Sequence, residues 1–255
     1  MKHGDFTELA KAYINRPGYS LRVLRALASY IGAYREDFVI ADVGAGTGKL
    51  SENLTELGFK GFAVEPNDAM RGEALNIGVT LNNFQWSKGA AEATGLEDKS
   101  VDWVLMASSF HWTDKKAALN EFHRILKPGG FFTALWNPRD IEKSQLHMQV
   151  EDIIKFYVPE LKRVSSGSEK NIWGVEEALV ATGQFDKLIF MEAPHKELMT
   201  RERYIGAWRS VNDIQVQAGE ERFEKIIGEI EELIKNQDTI EVSYKTRAWT
   251  VQAKM

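Results

Sequence analysis

Between Phe38 and Leu57 the chain writes a strand, a glycine turn and a helix in direct succession, and no other stretch limits the fold so tightly. Phe38-Val-Ile-Ala-Asp-Val43 is apolar and rich in β-branched residues, the signature of a parallel strand buried on both faces. Gly44, Gly46 and Gly48 follow, and Leu50, Leu54 and Leu57 then recur at helical spacing up to Gly58, which reads as a C-cap. Glycines let a backbone turn sharply and approach a ligand with no Cβ in the way, and the amides that open the next helix face that ligand. Spacing separates the possible ligands. A dinucleotide fingerprint places glycines at its first, third and sixth positions, and the sixth position here is Lys49. A Walker loop needs Gly-Lys-Ser/Thr, which Gly48-Lys49-Leu50 does not supply. What remains is an acid, one spacer and three alternating glycines, Asp42-Val-Gly44-Ala-Gly46-Thr-Gly48.

At 255 residues, 44% hydrophobic and 27% charged, the chain has the material for one large α/β domain or two small ones. A net charge of -5 gives no electrostatic reason to expect nucleic acid or an anionic membrane. The absence of cysteine excludes disulfides, thiolate metal sites and a cysteine nucleophile. The first residues lack the apolar core of a signal peptide, and no run approaches the roughly 20 apolar residues of a membrane span. The expectation is a soluble, cytoplasmic protein, monomer or homodimer, with no nucleic-acid or membrane partner.

Residues 6–34 predict two packing helices separated by Asn15-Arg-Pro-Gly-Tyr-Ser20, with Ser20 an N-cap. A second strand, Gly61-Phe-Ala-Val64, ends on Glu65, which follows Asp42 at close to the roughly 20-residue spacing of an acid that grips a ribose. A carboxylate accepts two hydrogen bonds, and a ribose offers two adjacent hydroxyls. Strands are predicted at Val79–Phe84, Trp103–Ala107 and Phe131–Trp136, the last after a helix that Pro128-Gly129-Gly130 stops. Beyond Trp136 come amphipathic helices over Leu146–Val158 and Gly174–Thr182, with a flexible loop from Arg163 to Lys170 between them. Strand six (Phe185–Met191), a helix from Thr200 to Ser210, a longer helix striped with Phe223, Ile226, Ile227, Ile230, Leu233 and Ile234, and a last strand from Ile240 to Val251 complete the chain. No repeat or low-complexity segment marks off a second domain.

The acid-spacer-glycine pattern resembles motif I of the class I S-adenosylmethionine-dependent methyltransferases. Four further stretches resemble the same family in the same order: Gly89-Ala-Ala-Glu92, Leu96-Glu-Asp-Lys-Ser-Val-Asp102, Arg124-Ile-Leu-Lys-Pro-Gly-Gly130, and the opening Tyr13-Ile-Asn-Arg16-Pro17-Gly-Tyr19. His111-Trp112 past strand four is typical of the small-molecule subgroup that includes trans-aconitate methyltransferase. The likeness covers residues 10–136 well and the remainder in layout only. It implies a Rossmann-like seven-stranded α/β sheet with helices on both faces and an antiparallel last strand beside strand five. Residues 1–255 would form one domain: a core over 36–137 and 184–255, lid helices over 1–34, and acceptor-pocket helices over 138–183.

The resemblance also implies the cofactor and its contacts. S-adenosylmethionine would lie with Asp42 toward its ammonium, partly through water, and with Gly44, Ala45 and Gly46 along its methionyl and ribose parts. Glu65 and Pro66 would sit at the ribose, Asn67 and Met70 beside the adenine, and Ala90, Ala91 and Glu92 around that ring. Tyr13, Arg16 and Ser108 complete the predicted cofactor set, and S-adenosylhomocysteine is the product. His111, whose ordinary pKa suits base work near neutrality, is the candidate base. Tyr19, Trp112, Trp136, Arg139, Trp208 and Arg209 are candidates for a small-molecule acceptor, the arginines as forks for a carboxylate. No metal is required. O-methylation of a carboxylate, phenol or enol is expected first, with N- or C-methylation, or a silent cofactor-binding protein, as alternatives. A nicotinamide oxidoreductase is disfavoured by Lys49 and by the Pro-Gly-Gly strand motif.

Overall fold

The computed structural model describes residues 6–77, 83–163 and 174–255. Seven strands make one mixed sheet: β1 (Ile40–Val43), β2 (Gly61–Val64), β3 (Phe84–Ser87), β4 (Val101–Ala107), β5 (Leu126–Trp136), β6 (Phe185–Thr200) and β7 (Thr239–Ala253). Their order is β3-β2-β1-β4-β5-β7-β6, with β7 antiparallel to both neighbours and the other pairs parallel. Alternation along β4 shows why the strand reads as continuously apolar. Val104 and Met106 join one core with α5 (Lys115–Ile125) and α7 (Val175–Val180), while Trp103 and Leu105 join another with α2 (Leu21–Tyr30) and α3 (Lys49–Glu56). A third core lies over the sheet's end, where α6 (Gln145–Tyr157), α8 (Arg201–Arg209) and α9 (Asn212–Leu233) pack Val150, Trp208, Ile214 and Ile227 against Val242 and Tyr244.

Local signals placed several boundaries. Ser20 accepts from the Val23 amide at 3.5 Å as the N-cap of α2. Gly58 adopts φ +85° just past α3, as a C-cap glycine must. Other boundaries differ from the expectation. The opening helix shrinks to one turn, α1 (Ala10–Tyr13). The third strand occupies Phe84–Ser87, later than predicted; residues 79–82 of that prediction lie outside the described residues, as do 164–170 of the predicted loop. Helix α5 ends at Ile125 instead of running into the proline, because Pro128 pushes Lys127 toward extended backbone. Leu126 therefore already pairs with Val101, and the register shifts before Trp103 meets Phe131.

Strand β6 continues nine residues past Met191 to Thr200, through Pro194, which an edge strand tolerates. Helix α9 begins at Asn212 and is interrupted at Gly219, which adopts φ 70° and ψ 164°. α4 (Asp68–Ile77) follows β2 directly. Among the described residues no helix is long and apolar enough to cross a membrane.

Candidate active site

A cavity of about 290 Å³ opens at the carboxyl ends of β1, β2 and β4, where open α/β sheets receive ligands. Its floor is the glycine turn. Gly44, Gly46 and Gly48 adopt φ of +69°, +60° and +88°, the left-handed region. A Cβ on Gly44 would meet the Ser109 hydroxyl at 2.8 Å, so only glycine lets the loop lie this close to the end of β4. The Gly44 and Ala45 amides donate to the Val64 carbonyl at 2.8 and 3.1 Å, tying the loop to β2.

Glu65 is 6% exposed at the end of β2. The Gly46 amide donates to its Oε2 and the Asn67 amide to its Oε1, both at 2.8 Å. Burial raises its pKa, and the two amides act in the opposite direction by holding the carboxylate form. A carboxylate offers about four lone-pair positions, so two remain for a ligand. Pro66, Asn67, Met70, Ala90, Ala91 and Glu92 continue the wall, and Tyr13, Arg16, Tyr19 and Ser108 close it opposite. Ser108 has φ +56°, unusual for serine, and shares a hydrogen bond of 3.1 Å with the Tyr19 hydroxyl. Burial pushes the pKa of that tyrosine up.

Asp42 does not line the cavity. It is fully buried beneath the turn, where the Ser51 hydroxyl donates to Oδ2 at 2.6 Å and Oδ1 has no partner. Burial pushes its pKa up to about 7.

A second cavity of about 250 Å³ adjoins the first. Phe6, Tyr13, Arg16, Pro17, Ser108, Trp112 and Asn137 line both. Its aromatic side includes Phe6, whose ring meets Tyr13 at 5.5 Å and Trp112 at 6.0 Å, together with Trp136 and Tyr244. Its charged side carries Arg16, Arg139 and Arg163 against one acid, Glu151. Two of these arginines are occupied. Arg163 pairs with Glu151 at 2.6 Å, and Arg16 donates to the Ser210 hydroxyl and carbonyl at 2.5 and 3.0 Å. Arg139 differs: its guanidinium stacks over Trp208 at 3.8 Å, and its buried Nε has no hydrogen-bond partner. Burial lowers its pKa, yet a guanidinium begins high enough to remain charged. Its field also helps hold the buried His147 neutral, at about 4.

Three acceptor-side candidates do not line either cavity. His111 lines neither cavity. The Trp136 indole donates to its Nδ1 at 3.2 Å, which puts the ring proton on Nε2, and burial with Lys115 nearby lowers its pKa to about 4. Its basic lone pair is thus engaged, and the ring stands behind the cavity wall. Arg209 forms a fork on Glu224, at 2.6 and 2.9 Å, on an exposed face away from both cavities. Trp208 is buried and supports Arg139 from behind. The pattern-based reading missed Thr47, Lys49, Leu50, Met106 and Asn137 in the first cavity, and Ile141, Glu151, Arg163 and Tyr244 in the second. Of these, Thr47, Lys49 and Leu50 stand beside the glycines already singled out; the others carry no local signal. Among the described residues no cluster of three or more metal-ligating side chains occurs.

The family model described as a methyltransferase domain matches residues 41–134, from the motif I strand into β5. Over that stretch the chain is similar to methyltransferases, and its sheet has the fold of the class I S-adenosylmethionine-dependent methyltransferases. An uncharacterized methyltransferase-like protein of Schizosaccharomyces pombe is 28% identical over 96% of this chain and 93% of its own length. An uncharacterized methyltransferase of Mycobacterium tuberculosis is 43% identical over 105 residues, 40% of each chain, so the chain spans about two fifths of that relative in the match. A solved structure named for a type II methyltransferase from Anaeromyxobacter dehalogenans superposes with a TM-score of 0.59 at 20% identity, covering 94% of this chain and 97% of the other. That likeness establishes the fold.

Proposed function

We propose that this methyltransferase transfers a methyl group to an ionised oxygen, most simply a carboxylate, of a small acid held in the second cavity, with S-adenosylmethionine in the first. The fit of the cofactor is supported by the left-handed glycine turn that floors the first cavity and by the two acceptor positions left on Glu65. When bound, the cofactor supplies a sulfonium-activated methyl, so a direct displacement needs no covalent help from the protein. The chain's own work is orientation. Glu65 would take the ribose hydroxyls, and Met70, Ala90 and Ala91 would flank the adenine. Asp42 would reach the ammonium only through an intervening water, since it lies beneath the cavity floor. Seven residues shared by the two cavities frame the passage where the methyl changes hands, and good alignment there is worth about 7–11 kcal/mol. The N-terminal segment, the sheet and the helices after β5 would act as one catalytic domain.

Arg139 carries the acceptor assignment. A buried cation with an unpartnered N–H is costly to leave alone and is satisfied by an anion. With His111 turned into the wall, an acceptor already ionised at neutral pH is favoured over a phenol that must lose a proton first. The test is transfer from S-adenosylmethionine carrying a tritiated methyl to a panel of small mono- and dicarboxylic acids and phenols. The expected product is a methyl ester, which releases labelled methanol in mild alkali. A labelled product stable to alkali, from an N-, C- or phenol acceptor, would overturn the assignment while leaving the methyltransferase identity intact.

A further inference from the structure

Within the segment Arg16–Ser20, Arg16 and Pro17 line both cavities and Tyr19 lines the first, and four elements distant in sequence fix its backbone. The Tyr19 amide donates to Asn53 of α3 at 2.7 Å, and the Gly18 amide to Glu197 of β6 at 3.3 Å. The other two pins belong to one pair of side chains. The Asn137 carboxamide, just past β5, donates through Nδ2 to the Gly18 carbonyl at 2.9 Å. The Ser20 amide donates to the hydroxyl of Thr246 on β7 at 2.8 Å, and that hydroxyl donates onward to Asn137 Oδ1 at 2.9 Å.

Every role in this relay is forced. An amide can only donate, so Thr246 must accept from Ser20 and has its own proton free for Asn137. Asn137 must then present its oxygen to Thr246 and its nitrogen to Gly18. Thr246 is fully buried, so water does not replace it. The side chain of Asn137 also lines both cavities.

From this arrangement we infer that Asn137 and Thr246 are positioning residues: together they set the Gly18–Ser20 backbone, and through it Arg16 and Tyr19, at the cofactor's wall. The inference rests on the first cavity being the cofactor site. No local sequence signal marks Asn137 or Thr246, yet the geometry makes the last strand a determinant of cofactor affinity.

The test uses S-adenosylhomocysteine as probe, by calorimetric titration of the full chain. Asn137→Asp keeps the acceptor for Thr246 but sets a carboxylate oxygen against the Gly18 carbonyl. Thr246→Val removes the relay, and Thr246→Ser keeps it. Loss of one such bond is expected to weaken binding about fivefold in the first two variants, with wild-type affinity in Thr246→Ser. Amide hydrogen exchange should quicken over residues 16–20 alone, with the thermal midpoint unchanged within a few degrees. The double variant Asn137→Asp/Thr246→Val should bind no worse than the weaker single one. Unchanged affinity in Asn137→Asp, or additive losses in the double variant, would overturn the inference. Failure of the unaltered protein to bind S-adenosylhomocysteine would instead overturn the cofactor reading beneath it.

Discussion

Replacing Glu65 by glutamine isolates the charge at the cofactor site with little change of shape. In the structure the carboxylate already accepts the Gly46 and Asn67 amides, one on each oxygen at 2.8 Å. Glutamine keeps one acceptor oxygen and turns the other into an NH2 group that faces an N–H donor. One loop amide and one ribose hydroxyl thus lose their acceptor. A hydrogen bond to a charged group contributes about 1.5–3 kcal/mol, so two lost bonds cost about 3 kcal/mol or more. Relief of the buried charge, the same burial that raises this group's pKa, returns about 1 kcal/mol. The net loss of about 2 kcal/mol weakens S-adenosylhomocysteine about thirtyfold, and Glu65→Ala should lose more. Calorimetric titration at pH 7.5 measures both, with circular dichroism to verify the fold. The unaltered protein should also bind less tightly as the pH falls toward the raised pKa of Glu65, a dependence that Glu65→Gln removes. Affinities within threefold of wild type in both variants would show that the carboxylate only braces the loop.

Three further outcomes follow from the same geometry. Asp42 has its folded pKa raised from 3.8 to about 7, so the native state holds the extra proton, and stability is lost as the pH climbs from about 4 through 7. Calorimetric melting of ligand-free Asp42→Asn should show a midpoint nearly flat across that window and above wild type at pH 8. Arg139→Lys loses the planar fork and the stack on Trp208; with any acid the enzyme methylates, acceptor KM should rise about tenfold or more while S-adenosylhomocysteine affinity stays within twofold. His111→Gln should leave kcat within about threefold at pH 7.5, with no acid limb lost from the pH–rate profile, because the imidazole stays neutral and its Nδ1 is taken by Trp136.

What was legible in the chain is what local sterics dictate. The glycine turn, the acid ending β2 and the cap at Gly58 each follow from backbone demands within a few residues, and the structure shows them at those positions. The acceptor side is built differently. Arg139 and Arg209 look alike in sequence, yet one lies buried on Trp208 and the other forks onto Glu224 in solvent. His111 sits past a strand end, where catalytic groups gather, but the indole that occupies its nitrogen arrives from β5. Asn137 reads as an ordinary turn residue, since its partners Gly18 and Thr246 come from opposite ends of the chain. The second half of β6 was hidden by Pro194 and by polar alternation that an edge strand permits.

The β6–β7 ladder outruns the sheet. β5 pairs with β7 only from Trp136↔Arg247 onward, whereas β6 and β7 remain paired out to Thr200↔Thr239. That overhang is a two-stranded arm, and its tip leads straight into α8, part of the cap over the second cavity. Side chains alternate along it, so its length is adjustable only in paired steps. One added residue per strand would turn Val242 and Tyr244 from the cap core toward solvent, whereas two per strand preserve the faces and carry the cap about 6.6 Å farther, at roughly 3.3 Å per residue. The reach of the helices over the second cavity is therefore quantised by a strand pair, while the floor of the first cavity, anchored on β1 and β2, would not register the change.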